Sequence, residues 1–363
     1  MIRVAMITRS TLFTARGGDT VQALQTAHLL NGHGIEVDVK LTDDAIEYSH
    51  YDLLHFFNIT RPADILYHIS KADTPFVVST ILINYSEYDK YHRKGLARLL
   101  FRYFHADRIE YIKAISRWVL GKDKMMSMIY LWKGQRKSML EIIKKAKLLL
   151  PNSFSEYGRL KRSYGCKENC LVVPNGVDAG LFRFDGHSVK DTKLVLCVAR
   201  IEGIKNQLNL IKALNNTDYR LIIIGAPAPN QPYYYQVCRG IAARNISFIQ
   251  HMDQEELVGY YQKAKVHVLA SWFETTGLSS LEAAAMECNI VITDRGDTIE
   301  YFGNHAHYCN PSSPQSIFRA VEKAAASPYN ETLRTRITTH YTWRKASLCT
   351  AEAYKNIINN SWN

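Results

Sequence analysis

Glu274 and Glu282 are two carboxylates eight positions apart, set across a turn between an apolar run at 266–270 and a helix-period segment at 278–286. Gly277 allows a tight turn between them. The amides of Leu278 and Ser279 then stand at a helix N-terminus, where partial positive charge favours phosphate. Glu274 lies just ahead of that helix and Glu282 just over one turn into it. Helical side chains lean toward the N-terminus, so Glu282 can reach back to the same crevice. A carboxylate accepts two hydrogen bonds side by side, which suits the vicinal hydroxyls of a ribose or a hexose. The spacing alone also fits an exposed helix residue at 282 and a capping acid at 274.

A second passage of the same kind runs through residues 198–206, where Arg200 and Lys205 flank a glycine turn. They could neutralise a diphosphate, arginine as a planar fork and lysine as a point charge, although many helices simply open with a surface lysine. A third follows the first strand, where Gly17-Gly18 would either leave bare backbone for a phosphate or sugar or make a plain tight turn. It is neither a GxGxxG fingerprint nor a Walker loop, so hydride and ATP chemistry gain no support. The sequence holds no Asp-x-Asp, Cys-x-x-Cys or His-Glu-x-x-His, so no metal is expected, and no Gly-x-Ser-x-Gly nucleophile elbow. Cys166 and Cys170 read as plain thiols, and His305 and His307 as structural residues on a strand.

Positioning these turns requires strands that end beside one another. Apolar runs predict strands at 3–7, 36–41, 52–57, 75–80, 146–151 and 171–174, with helices at 20–31 and 156–163. Residues 91–147 read as basic helices covering the sheet edge. After the polar stretch 185–192, a second series predicts strands at 193–198, 220–224, 246–250, 266–270 and 289–293. Its helices are expected at 205–214, 234–243, 255–263, 278–286 and 316–326. Strands alternating with helices imply α/β domains with parallel sheets, whose ligands bind beyond the C-terminal ends of the strands.

The chain has 363 residues, 47% of them hydrophobic and 22% charged, enough for two domains with real cores. No apolar run approaches a membrane span, arginines break the first strand as a secretory signal, and seven scattered cysteines predict reduced thiols. A cytoplasmic protein is expected. The net charge of +11 is uneven: residues 90–168 hold 20 Lys and Arg against 6 Asp and Glu. Nucleic acid, an anionic membrane surface and an anionic lipid substrate are the partners such a patch could meet. It shows no helix-turn-helix, zinc or ribonucleoprotein motif, so no nucleic acid is expected.

Together these turns resemble glycosyltransferase family 4, the retaining nucleotide-sugar enzymes of the GT-B fold. Gly17-Gly18, Gly32-His33-Gly34-Ile35-Glu36-Val37, Val173-Pro174-Asn175-Gly176-Val177-Asp178, the passage from Val198 to Asn206, and the E-x7-E element from Glu274 to Glu282 follow the family's order. The resemblance implies two Rossmann-like domains with parallel sheets facing a central cleft. An acceptor domain would occupy 1–186, a nucleotide-sugar donor domain 187–342, and a C-terminal helix 343–363 would cross back to the first. It implies that Arg200 and Lys205 hold the donor diphosphate and that Glu274 contacts the donor sugar, the three forming the catalytic set. Thr276, Gly277, Leu278 and Ser279 would offer backbone donors, Glu282 would hold the ribose, and Gly17 and Gly18 would pack against the diphosphate. The co-substrate would be a nucleotide-diphosphate sugar, with no metal or other cofactor. Many members carry a histidine after the strand at 76–80; here Asn84, Glu87 or Asp89 would take over the acceptor contact, and the residues do not choose among them. The segments 85–89 and 130–135 resemble bacterial surface-polysaccharide transferases, implying a glycan or lipid-linked acceptor and a peripheral place at the inner face of the plasma membrane. A GT-B nucleotide-sugar epimerase and a non-catalytic nucleotide- or glycan-binding protein are the alternatives.

Overall fold

The computed structural model describes residues 1–85, 87–89, 101–121, 123–166, 169–250 and 252–359. The first of its two compact units, Met1–Pro174 plus the segment from Trp343 onward, carries five parallel strands. These are β1 (Ile2–Thr8), β2 (Ile35–Leu41), β3 (Leu53–Phe57), β4 (Phe76–Ser79) and β5 (Leu148–Leu150), in the order β2-β1-β3-β4-β5. Every residue of β3 and β4 is buried, the signature of strands covered on both faces. Helices α1 (Gly18–Leu30), α2 (Pro62–Ile69), α3 (Ala106–Val119) and α4 (Ile129–Lys145) lie between them in the chain, and α5 (Phe154–Tyr164) follows β5. Helix α2 breaks the expected pattern because its core face buries Asp64 and His68, whose polarity hides the apolar stripe.

The strand expected at 171–174 is reduced to one bridge, Leu149 with Cys170. The segment follows β5 through Leu171 N–H to Leu149 O and Val173 N–H to Pro151 O, but Pro151 and Pro174 lack the N–H groups a regular ladder needs.

The second unit, Asn175–Thr342, carries six parallel strands. They are β6 (Asp191–Val198), β7 (Arg220–Ile224), β8 (Ile246–Ile249), β9 (Ala264–Leu269), β10 (Asn289–Thr293) and β11 (His307–Cys309), in the order β11-β10-β9-β6-β7-β8. Helices α6 (Gln207–Leu214), α7 (Pro232–Ile241), α8 (Gln254–Lys263), α9 (Leu278–Ala285), α10 (Thr298–Phe302), α11 (Pro314–Ala326) and α12 (Glu331–His340) complete it. The units divide between Pro174 and Asn175, not at residue 186, because Val177 and Phe182 are buried in the second unit's core. The final helix, α13 (Trp343–Ile358), packs on α1 in the first unit and hydrogen-bonds its Tyr354 hydroxyl to the buried His55 of β3.

Strand order locates the crevices. From β6 the chain adds β7 and β8 on one side, then returns to place β9 on the other. The loops leaving β6 and β9 therefore diverge, and this switch point is where open parallel sheets hold their ligands. In the first unit the corresponding point lies between β1 and β3.

Candidate active site

The loops leaving β6 and β9 carry the residues singled out by spacing. After β6 the chain makes a 3-10 turn at Gly203–Lys205, and Asn206 adopts a left-handed conformation (φ 59°) before α6 starts at Gln207. That is why the helix begins two residues later than its expected start at 205. Asn206 is held there by Nδ2 bonds to the carbonyls of Ala270 (2.9 Å) and Pro311 (2.8 Å). The turn is braced from outside as well: Gly203 N–H donates to Gln231 Oε1 (2.8 Å), and Gln207 Nε2 to the Arg200 carbonyl (3.0 Å). Trp272 N–H donates to the Ile204 carbonyl at 2.8 Å, tying this turn to the loop after β9.

These braces place the Lys205 ammonium 2.7 Å from Glu274 Oε2, which also accepts from Ser271 Oγ at 3.0 Å. Glu274 Oε1 has no protein partner among the described residues. The carboxylate is nearly buried, at 9% side-chain exposure, while Lys205 keeps 24% and so reaches water at the mouth. Arg200 is fixed beside Glu202 at 3.0 Å. The Glu274 backbone is gripped by the loop after β10, with Glu274 N–H bonding Arg295 O and Asp297 N–H bonding Glu274 O. The turn between these partners passes through Gly296 (φ 100°), where a Cβ would stand 2.1 Å from the Glu274 carbonyl oxygen.

Gly277, at φ 74°, turns the chain into α9. Ser279 Oγ reaches the last carbonyl of β6, Val198 O, at 2.7 Å, so the N-terminus of α9 sits against the β6 exit. Leu278 is the first residue of α9, which places its amide at that terminus. Thr276 Oγ1 is occupied by Asn175 Nδ2 (3.1 Å) and the Tyr301 hydroxyl (3.3 Å), leaving its backbone for any ligand contact. Glu282 is buried, accepting from Gln254 Nε2 on Oε1 and from the Tyr261 hydroxyl on Oε2, both at 3.0 Å. Burial pushes its carboxyl up to about 7, against the opposing effect of those two donors.

The remaining expected residues lie in the first unit. Gly17 caps α1 with extended backbone (φ −156°), and Gly18 starts the helix, so neither uses a left-handed conformation. Their loop is organised by Arg9, whose guanidinium bonds Asp19 at 2.6 Å, Thr11 O and Oγ1 at 2.7 Å and Ala15 O at 2.7 Å. After β4, Asn84 is exposed and Glu87 half-buried. Asp89 is buried against Lys113 Nζ at 3.1 Å. The start of the basic stretch, residues 90–100, lies outside the described residues. Sequence reasoning missed Ser271, Gln231, Gln254, Tyr261 and Tyr301. Only Ser271 carried a local signal, three positions before Glu274.

A cation and a carboxylate paired at the switch point of a parallel sheet, beside a helix N-terminus, are groups that can meet an anion and its hydroxyls. Residues 179–340 match the family described as Glycosyl transferases group 1. That span lies within the second unit and contains Arg200, Lys205, Glu274 and Glu282. In sequence the chain is 27% identical over 196 residues to glycogen synthase of Mycobacterium tuberculosis, covering 50% of this chain and 47% of the relative. It is 29% identical over 188 residues to D-rhamnosyltransferase WbpZ of Pseudomonas aeruginosa, covering 47% of each. The chain thus spans about half the length of these relatives. Among solved structures, sucrose-phosphate synthase from Thermosynechococcus elongatus superposes with a TM-score of 0.77 at 15% identity, over 99% of this chain and 100% of that one. Anabaena HepE in complex with UDP gives 0.66 at 14% identity, over 98% and 100%. The fold is that of GT-B glycosyltransferases.

Proposed function

We propose that the chain is a retaining glycosyltransferase that moves a hexose-type sugar from a nucleotide-diphosphate sugar to a glycan or lipid-linked acceptor, in bacterial cell-surface polysaccharide synthesis. The observation that carries this reading is the contact of Lys205 with Glu274 at the β6/β9 switch point. Breaking the bond between sugar and diphosphate builds negative charge on the leaving phosphate. In this reading Lys205, with two ammonium N–H groups beyond the one given to Glu274, and the Arg200 guanidinium meet that charge, aided by the amides opening α9. Glu274 Oε1 accepts a donor-sugar hydroxyl, and Glu282 accepts the ribose diol. Binding of UDP by HepE, and of UDP-glucose by HepE in another solved complex, supports a nucleotide-sugar donor.

No metal enters this scheme: in it, cationic side chains and helix amides offset the charge that a metal would otherwise meet. On the acceptor side the reading keeps Asn84, Glu87 and Asp89 of the first unit, the last of which is paired with Lys113. Among the described residues no helix is long and apolar enough to cross a membrane. This reading puts the protein in the cytoplasm, with a peripheral hold on the inner membrane face. Helices α3 and α4 and their connection expose Trp118, Val119, Leu120, Met128, Ile129 and Trp132 among lysines and arginines, which suits a headgroup region.

The test is a screen of nucleotide sugars for slow donor hydrolysis with anomer-resolved products, in the presence and absence of EDTA. The expected result is a free sugar of the donor's own anomeric configuration, at a rate that chelation does not change. An inverted anomer overturns retention, a rate lost to EDTA and restored by Mg or Mn overturns metal independence, and an epimerised sugar assigns an epimerase. Nucleotide binding with no turnover on any donor makes the chain a binding protein.

A further inference from the structure

Glu282 is held from an element that the local motif does not include. Gln254 and Tyr261 are seven residues apart on α8, two helical turns, and so lie on one face of that helix. Each donates to a different oxygen of the Glu282 carboxylate on α9, at 3.0 Å in both cases. Tyr261 is itself immobilised. It is fully buried, its ring meets Phe182 and His267 edge-on, and its carbonyl accepts from the Lys190 ammonium at 2.6 Å. The same ammonium bonds the Met286 carbonyl at 2.5 Å, so Lys190 fixes the ends of α8 and α9 together. Among the described residues no cation pairs with Glu282. Tyr261 and Gln254 are its polar partners, and the nearby His267 is kept neutral by burial.

We propose that Tyr261 and Gln254 are positioning residues for donor binding: they hold one lone pair on each Glu282 oxygen, so that the remaining lone pairs meet the ribose diol in a fixed orientation. This rests on the reading of Glu282 as the ribose acceptor. A diol donates to the ionised carboxylate and binds the protonated acid poorly. Burial without a cation brings the Glu282 carboxyl up to about 7, and the two donors are what hold it from rising further. The sign follows: nucleotide affinity is present above neutrality and is lost as pH falls and Glu282 takes up a proton. The Tyr261 hydroxyl and Gln254 amide thereby also set the pH at which binding fails.

The experiment is calorimetric titration of the full chain with uridine, adenosine and guanosine diphosphate. The tightest binder is then followed from pH 5.5 to pH 9 for the wild type, Tyr261→Phe, Gln254→Leu and Glu282→Gln. The Glu282→Gln variant supplies the pH dependence that belongs to the nucleotide's own phosphate. A hydrogen bond to a charged group corresponds to a shift of about one to two pH units. Tyr261→Phe is therefore expected to move the midpoint up by that much. With a starting midpoint near 7, that lowers affinity at pH 7 by roughly 5- to 50-fold and restores it toward the wild-type value at the highest pH. A Tyr261→Phe profile that overlies the wild type, or a loss equal at every pH, overturns the positioning role. Unchanged affinity and pH profile in Glu282→Gln, or no binding of any of the three diphosphates, overturns the ribose assignment itself.

Discussion

Replacing Lys205 with alanine removes the ammonium 2.7 Å from Glu274 and leaves a carboxylate of 9% exposure with only the Ser271 hydroxyl. Breaking a fully buried ion pair by removing one partner costs about 3–5 kcal/mol. Lys205 is a quarter exposed, and water can enter the vacated space to solvate Glu274, so the expected loss is smaller, about 1–3 kcal/mol. Changing Glu274 to glutamine removes the stranded charge while keeping the shape. The double variant, Lys205→Ala with Glu274→Gln, should therefore recover most of that loss in urea unfolding followed by tryptophan fluorescence. Turnover should behave differently. Lys205 is assigned to charge that grows only as the leaving phosphate departs, so Lys205→Ala should lower kcat by about 100- to 1,000-fold while changing donor Kd far less. The double variant should stay as slow. If stability losses add to within about 0.5 kcal/mol, the pair is not energetically coupled. If turnover returns in the double variant, the role of Lys205 is to neutralise Glu274, and its assignment to the leaving group fails.

Gly296→Ala should disable the site from a distance. Its Cβ would meet the Glu274 carbonyl oxygen at 2.1 Å, and its φ of 100° is costly for any other residue. A destabilisation of at least about 2 kcal/mol is expected, with a fall in turnover, and a fully active variant of normal stability would contradict the grip described on Glu274. For the basic helices, cosedimentation over a salt series should show binding to anionic liposomes, none to neutral ones, and weakening as salt rises. Trp132→Ser should reduce pelleting because that ring is 91% exposed beside Lys133, and charge-reversing Lys144, Lys145 and Lys147 to Glu should abolish it. Equal pelleting with both lipids, or with neither, would mark the face as an ordinary solvated surface.

The sequence by itself determined most of the strands and where the turns that carry Lys205 and Glu274 fall. Strands of a parallel sheet are largely buried on both faces and so carry near-continuous apolar stretches, here Leu221–Ile224 and Ile290–Ile292, which is why 220–224 and 289–293 could be read to the residue. Lys205, Glu274 and Gly277 were legible for a related reason: each lies in the loop between a strand end and the helix that follows it, where chain direction reverses and local chemistry shows. The short α2 was not legible, because Asp64 and His68 point into the core and break its period. The unit boundary was not either, since nothing local in 175–186 reveals that Val177 and Phe182 are buried with the second sheet. What only the tertiary structure decided is how the turns are held. Gln231 reaches Gly203 across 28 residues, Tyr261 reaches Glu282 across 21, and Asn175 reaches Thr276 across 101. Such partners are chosen by strand order. By inserting β6 between β7 and β9, the fold brings distant loops to one edge of the sheet. Periodicity along a chain reports which face of an element is buried, and carries no information about which other element will cover it.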